Sequence, residues 1–210
     1  MKFLTSLFNK QPTAEDVKVL VDNFLKIDKR ELYKYQDDIK QLIRTISKVL
    51  QTVKKQANGY PNNSINAKVW MDGFGLIENT KSLYEYFRTT AMDSETERFA
   101  DLWAESTLSV CSHYHHMVGP SMIAAAEMKE KSGDTRTALV YYNAVIKDFQ
   151  SFTEFNFDEK PPNNDEIAAL KSLNIALKNC LKLNNNENLE HLDLLTKTHG
   201  ILEKFSKANN

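Results

Sequence analysis

The chain has 210 residues, of which 41% are hydrophobic and 26% are charged. This length allows one or two domains with a sizeable core, and the composition is that of a globular chain rather than a disordered one. The 27 basic and 28 acidic residues nearly cancel and are interleaved along the sequence, which excludes the concentrated basic surface that nucleic-acid binders need. No apolar run reaches the roughly 18 residues of a membrane span, so we predict no transmembrane segment.

The cysteine content and the first residues predict a cytoplasmic protein. Cys111 and Cys180 are too few to form a disulfide framework, and two thiols in a chain of this size fit a reducing compartment. Residues 1–10 lack the apolar core and the cleavage site of a signal peptide. An alternative for these residues is one amphipathic turn that lies on a membrane surface, although a lightly packed chain end is the simpler interpretation. The apolar residues of this turn are Phe3, Leu4, Leu7 and Phe8.

Helical periodicity runs through the first part of the chain. Thr13 followed by Asp16 has the spacing of a capping box, which predicts a helix start. Asp28 followed by Glu31 indicates a second start. A seam of apolar residues follows, and further apolar residues beside it make the apolar face of the helix wider. This favours a helix packed inside a bundle over a free coiled coil. The members of this seam alternate steps of three and four, the spacing of a heptad seam: Leu32, Tyr35, Ile39, Leu42, Ile46, Val49 and Val53.

Residues 57–64 are dense in turn formers and form the first clear loop of the prediction. Ser64 can cap the helix that follows. Gly73 and Gly75 fall inside that helix, where they either weaken it or allow another backbone to approach closely.

One continuous helix is predicted to start at Ser94 and Glu97, which have capping-box spacing, and to run to Met117. Gly119 and Pro120 are expected to end it, because glycine suits the end of a helix and proline suits the first position of the next one. A short helix, a tight turn and a longer helix are expected next.

The last part of the chain predicts two more helices. They follow a proline-interrupted loop at residues 156–164 and are divided by residues 184–186. Seven or eight helices and no period-two strand pattern together predict an all-α fold, either an antiparallel helical bundle or a short α-solenoid. We interpret residues 1–210 as one helical domain, within which residues 13–118 and 119–206 can form sub-bundles.

Residues 121–150 resemble one tetratricopeptide repeat, most closely in the segment EKSGDTRTALVYYNAVI. Gly133-Asp134 stands at the turn between the two helices. Ala138 and Tyr142 stand at the small and aromatic positions of the second helix, where a small residue lets the helices cross closely and an aromatic ring fills the space beyond. The resemblance implies a helical hairpin and, by analogy, the binding of a protein or peptide.

The resemblance covers one repeat. Ala126 fits the small position of the first helix, but Lys129 stands near the place of its usual aromatic residue, and Val145 replaces a small residue of the second helix. In the last two helices Glu190 falls where Ala138 would have to match. Because a solenoid needs about three repeats to bury its faces, the rest of the chain is either diverged repeats or an unrelated bundle.

Residues 111–116 contain the densest group of potential metal ligands, and they motivate the alternative that this is a small helical enzyme or metal-binding protein. On one continuous helix these side chains point in different directions, at roughly 100° per residue, so they do not converge on one ion. Glu127 or His191 would have to complete a site. A half-buried cysteine with histidines near a helix end is the simpler interpretation. The group consists of Cys111, His113, His115 and His116.

The preferred hypothesis is a non-catalytic helical adaptor that binds another protein or peptide through a groove between helices. The sequence contains neither the Gly-x-Ser-x-Gly elbow of hydrolases nor a complete phosphate loop, so we name no catalytic or cofactor-binding residue and expect no cofactor. Lys129 and Lys178 would face the concave side of a repeat array, where lysines can contact an acidic peptide. Self-association through the heptad helix is a third hypothesis.

Overall fold

A computed structural model of the chain describes residues 11–58, 67–112, 114–157, 159–185 and 188–206. Regular structure in these residues is entirely helical, which confirms the predicted all-α fold and the predicted number of helices. The N-terminal amphipathic turn, Ser64 and His113 lie outside the described residues. The α-helices are α1 (Ala14–Phe24), α2 (Gln36–Asn58), α3 (Ala67–Phe87), α4 (Asp93–Val110), α5 (His115–Lys131), α6 (Thr135–Phe149), α7 (Asn164–Leu183) and α8 (Leu189–Ser206), with 3-10 helices at Lys29–Tyr35 and Gln150–Glu154.

The chain divides into two compact units, Met1–Ser112 and His113–Asn210. In the first unit α3 packs against α1, α2 and α4, and in the second unit α7 packs against α5, α6 and α8. The division falls at a break between α4 and α5 that the sequence analysis did not predict.

The heptad seam of α2 is part of the core of the first unit. Its five residues within α2 are at most 3% exposed: Ile39, Leu42, Ile46, Val49 and Val53. Leu32 and Tyr35, which the prediction placed in the same helix, lie in the preceding 3-10 helix. Asp28 begins that helix, because its carboxylate accepts a hydrogen bond from the backbone N–H of Arg30 at 2.9 Å. The face of α2 proposed for self-association is therefore used for the packing of its own unit.

The two glycines of α3 have different surroundings. A Cβ atom on Gly73 would lie 2.5 Å from a γ-carbon of Val110 in α4, whereas a Cβ atom on Gly75 would meet nothing within 4 Å. Of the two interpretations that the sequence left open, close approach therefore applies to Gly73.

The start of α4 differs from the prediction. The helix begins at Asp93 after Met92, and no side chain caps it. Instead, the carbonyl of Met92 accepts hydrogen bonds from both the backbone N–H and the hydroxyl of Thr96, at 2.9 and 2.8 Å. The predicted capping box of Ser94 and Glu97 is wrong because Ser94 already lies within the first turn.

The predicted continuous helix to Met117 is also wrong. The chain leaves α4 after Val110 and starts α5 at His115, so Gly119 and Pro120 lie inside a helix instead of ending one. Pro120 is the sixth residue of α5, where it lacks the N–H that would bond to the carbonyl of His116 and its ring crowds that carbonyl. Gly119 packs closely against neighbouring helices. The expectation that glycine ends a helix does not take such packing into account.

The hairpin of α5 and α6 has the buried positions that the repeat resemblance implies. Ala126, Ala138, Tyr142 and Val145 are all fully buried. They belong to one core with residues of α7, including Ala169, Leu173 and Leu177. The family assignment itself stays a prediction.

A hydrogen-bonded group of side chains joins α5, α6 and α7 near the end of the hairpin. The hydroxyl of Tyr142 accepts a hydrogen bond from Asn179 Nδ2 at 2.9 Å and donates one to Glu130 Oε2 at 3.4 Å. Glu130 also forms an ion pair with Lys182. Burial, reinforced by the nearby Glu130 carboxylate, raises the pKa of Tyr142, so its hydroxyl remains a donor at neutral pH.

The close crossing at Ala138 can be tested by enlarging the side chain. We expect Ala138→Leu to lower the free energy of unfolding by about 1–3 kcal/mol, because a fully buried position has no space for added methyl groups. Val140→Leu, on the same helix at a position that is 64% exposed, should change it by less than about 0.5 kcal/mol. If urea unfolding gives equal losses of stability for Ala138→Leu and Val140→Leu, Ala138 does not lie at a close helix crossing.

Candidate functional site

The cysteine and the histidines of residues 111–116 do not lie on one helix. Cys111 follows α4 and donates its backbone N–H to the carbonyl of Thr107 at 2.8 Å, whereas His115 and His116 begin α5 in the other unit. The directions predicted for a continuous helix therefore do not apply. Cys111 is 1% exposed and burial raises the pKa of its thiol, which disfavours the thiolate that a nucleophile or metal ligand requires.

The two described histidines of this segment contact different partners. The ring of His115 packs edge-on against Phe149 and Phe152, with centroid distances of 4.8 and 5.2 Å. His116 Nδ1 lies 3.5 Å from Asp165 Oδ2. Across the part of the chain that the structure describes, no three His, Cys, Asp or Glu residues are arranged to hold a metal ion.

Cys180 is also a buried core residue. Its Sγ atom lies 3.7 Å from Asn143 Oδ1, and burial raises the pKa of Cys180 to about 11. Only about one thiol in a thousand would then be ionised at pH 8, so little of the reactive thiolate is present.

This environment predicts the reactivity of both cysteines. At pH 8 we expect Cys111 and Cys180 of the folded protein to be alkylated by iodoacetamide at least about a hundredfold more slowly than in denaturant, because they are buried and protonated. Mass spectrometry of digested samples measures both rates. Rapid labelling of native Cys111 would contradict this description and would favour a reactive thiol.

The second unit has an apolar groove between α7 and α8, which we call the α7–α8 groove. It has a volume of about 310 Å³. Its apolar walls come from Pro162, Ile167 and Leu170 on the α7 side and from Ile201, Leu202 and Phe205 on α8.

Charged side chains border this groove. Lys171 lines it from α7 and is exposed, and within the described residues its ammonium group has no hydrogen bond or ion pair. On α8, His199 Nε2 lies 3.5 Å from Glu203 Oε1. The α7 edge of the groove thus has an unpaired positive charge, whereas the histidine and the carboxylate of the α8 edge already contact each other.

The apolar surface continues beyond one end of the groove. The ring centroid of Phe205 lies 6.2 Å from that of Phe157, which in turn lies 6.0 Å from that of Phe155. Phe155 is 54% exposed.

Among the described residues, α8 packs mainly against α7 and the 3-10 helix at Gln150–Glu154. Among the described side chains of α8 only Thr198 is fully buried, and the apolar residues near the groove remain partly exposed. By contrast, α7 buries Leu173 and Leu177 completely on its side facing α5 and α6. Large, partly exposed apolar surfaces are characteristic of binding sites.

A second groove, of about 410 Å³, lies in the first unit beside α1, α2 and α3. Its lining is more polar and includes Gln56, Lys68 and Asp72. Two of its lining side chains are already partners, since Gln11 Nε2 donates a hydrogen bond to Thr52 Oγ1 at 3.0 Å. It offers a ligand less apolar surface in proportion to its size than the α7–α8 groove.

No protein-family model, no curated protein and no solved structure matches the chain. None of the helices in the described ranges combines the length and apolar character needed to cross a membrane. Functional inference therefore depends on the geometry and chemistry of the α7–α8 groove.

Proposed function

We propose that this protein is a non-catalytic helical adaptor that binds another protein or a peptide in the α7–α8 groove. The observation that carries the proposal is an open apolar groove between two helices, with Lys171 at its edge, which pairs with none of the described residues. Apolar side chains of a partner would lose their contact with water in such a groove, which supplies affinity, while the charged border favours particular sequences.

The packing of the second unit supports this proposal. Its α5–α6 hairpin has buried small and aromatic residues at the positions of a tetratricopeptide repeat, and α7 packs against both of its helices. We interpret the α7–α8 pair as a second, diverged hairpin stacked on the first. Proteins built from stacked helical hairpins use their extended surfaces to bind other proteins, and we transfer that role to this chain by analogy.

The cysteines are compatible with an adaptor that acts in the cytoplasm, where we propose that it is located. Both described thiols are free and buried. Free thiols suit a reducing compartment.

Affinity capture with a matched pair of variants tests the proposal. We expect the wild-type chain, used as bait in native cell extract, to retain a partner that Leu202→Glu loses by about tenfold or more, since a carboxylate in an apolar groove opposes burial. Val140→Glu is the control, because Val140 is 64% exposed on α6 and does not line the groove.

Melting temperatures should first show that both variants are folded. Equal recovery of the same partners by wild type and folded Leu202→Glu would contradict binding in this groove. Loss of the partners from Val140→Glu alone would place the interface on α6 instead.

A further inference from the structure

The packing of α7 shows what kind of element this fold accepts next to a hairpin. α7 contacts both α5 and α6. Ala169 and Leu173 are among the α7 residues in the core shared with these two helices, and both are fully buried. The α5–α6 hairpin therefore presents a surface on which one further helix packs through small and leucine side chains.

The opposite side of α7 forms a wall of the α7–α8 groove. Ile167 and Lys171 each precede a core residue by two positions, which is roughly 200° around a helix, so they face away from α5 and α6. They line the groove together with Ile201 and Leu202 of α8. Within the described residues, the α7–α8 pair thus has a second, partly exposed apolar surface on the side of α7 that faces away from the α5–α6 hairpin.

We infer that the groove binds an amphipathic α-helix of the partner protein, which packs as the next helix of the stack and places a carboxylate beside Lys171. This inference rests on the proposed function and adds the conformation and the charge of the ligand. A helix bound in this way differs from an extended peptide bound on a concave surface.

The dimensions of the groove suit a helix. On α8 its lining runs from His199 to Phe205, which is six steps of about 1.5 Å, or about 9 Å along the helix axis. A bound helix that runs along α8 places side chains at positions i and i+3 or i+4 over that length, which is part of the anchor spacing in helix-in-groove recognition.

Lys171 favours a carboxylate at the α7 edge of the groove. Within the described residues Lys171 has no partner, whereas His199 and Glu203 on the opposite edge contact each other and the ammonium of Lys204 lies over the Phe205 ring. A carboxylate beside Lys171 forms a partly exposed ion pair. Such a pair contributes about a two- to fivefold gain in affinity and weakens as salt is added.

Two displayed peptide libraries test the inference with the full chain as the target. One has a helical, alanine-based scaffold of roughly 15 residues, long enough to be partly helical alone, and is randomised along one face. The other has the same length but carries a proline at every third position, which prevents α-helix formation. The targets are wild type, Leu202→Glu and Lys171→Glu, each checked by circular dichroism and melting temperature.

We expect the helical library alone to yield clones that Leu202→Glu weakens by about tenfold or more. These clones should carry Asp or Glu at one recurring position. Lys171→Glu should weaken them at least about two- to fivefold and should select Lys or Arg at that position instead.

Other results separate this inference from the proposed function. Groove-dependent clones from the proline library alone, or helical clones without an acidic preference, would overturn the inference and leave binding in the groove intact. If neither library yields clones that depend on Leu202, both the inference and the proposed function fail.

Discussion

Three helices of the second unit meet at a position that has no side chain. A Cβ atom on Gly119 of α5 would lie 2.5 Å from Ser172 Oγ in α7 and 2.6 Å from Phe149 Cε2 in α6. Both distances are shorter than nonbonded contacts allow, so only glycine lets α5 approach the other two helices this closely. The position of α7 depends on this approach, and the groove depends on the position of α7.

The same helices are joined a second time near the other end of α5. There the side chains of Glu130, Tyr142, Asn179 and Lys182 connect α5, α6 and α7 through hydrogen bonds and an ion pair. Apolar packing near Gly119 and polar bonding near Glu130 together fix α7 along much of its length. Consequently α7 can serve as a rigid wall, whereas α8 packs mainly against α7 and a 3-10 helix and remains partly uncovered.

Periodicity in the sequence predicted the elements that bury a complete face. The seam of α2 is buried as expected, because the spacing of apolar residues determines which side of a helix avoids water. The small and aromatic positions that the repeat resemblance implied for the α5–α6 hairpin are buried as well. The same reasoning failed between Cys111 and Pro120. A glycine and a proline can either end a helix or lie within it. The close contact of Gly119 with Ser172, which favours the second arrangement, joins residues distant in the sequence.

The groove itself could not be derived from the sequence. Leu202 and Phe205 have the same helical spacing as buried core residues, and no local signal shows that their side chains remain partly exposed among the described residues. Likewise, nothing near Lys171 in the sequence shows that it has no charged partner among the residues that the structure describes. Both properties depend on which helices pack together, and tertiary contacts rather than local preferences decide that.

Hydrogen exchange of α7 tests most directly whether the packing at Gly119 positions this helix. We expect Gly119→Ala to lower the free energy of opening at the buried α7 amides by about 1–3 kcal/mol, because the added methyl group collides with both neighbouring helices. Gly200→Ala is the matched control, since a Cβ atom at this helical glycine would meet nothing within 4 Å, and it should leave α7 at least as well protected. Faster exchange in Gly119→Ala alone is the predicted result. Equal or greater protection of α7 in Gly119→Ala would contradict it.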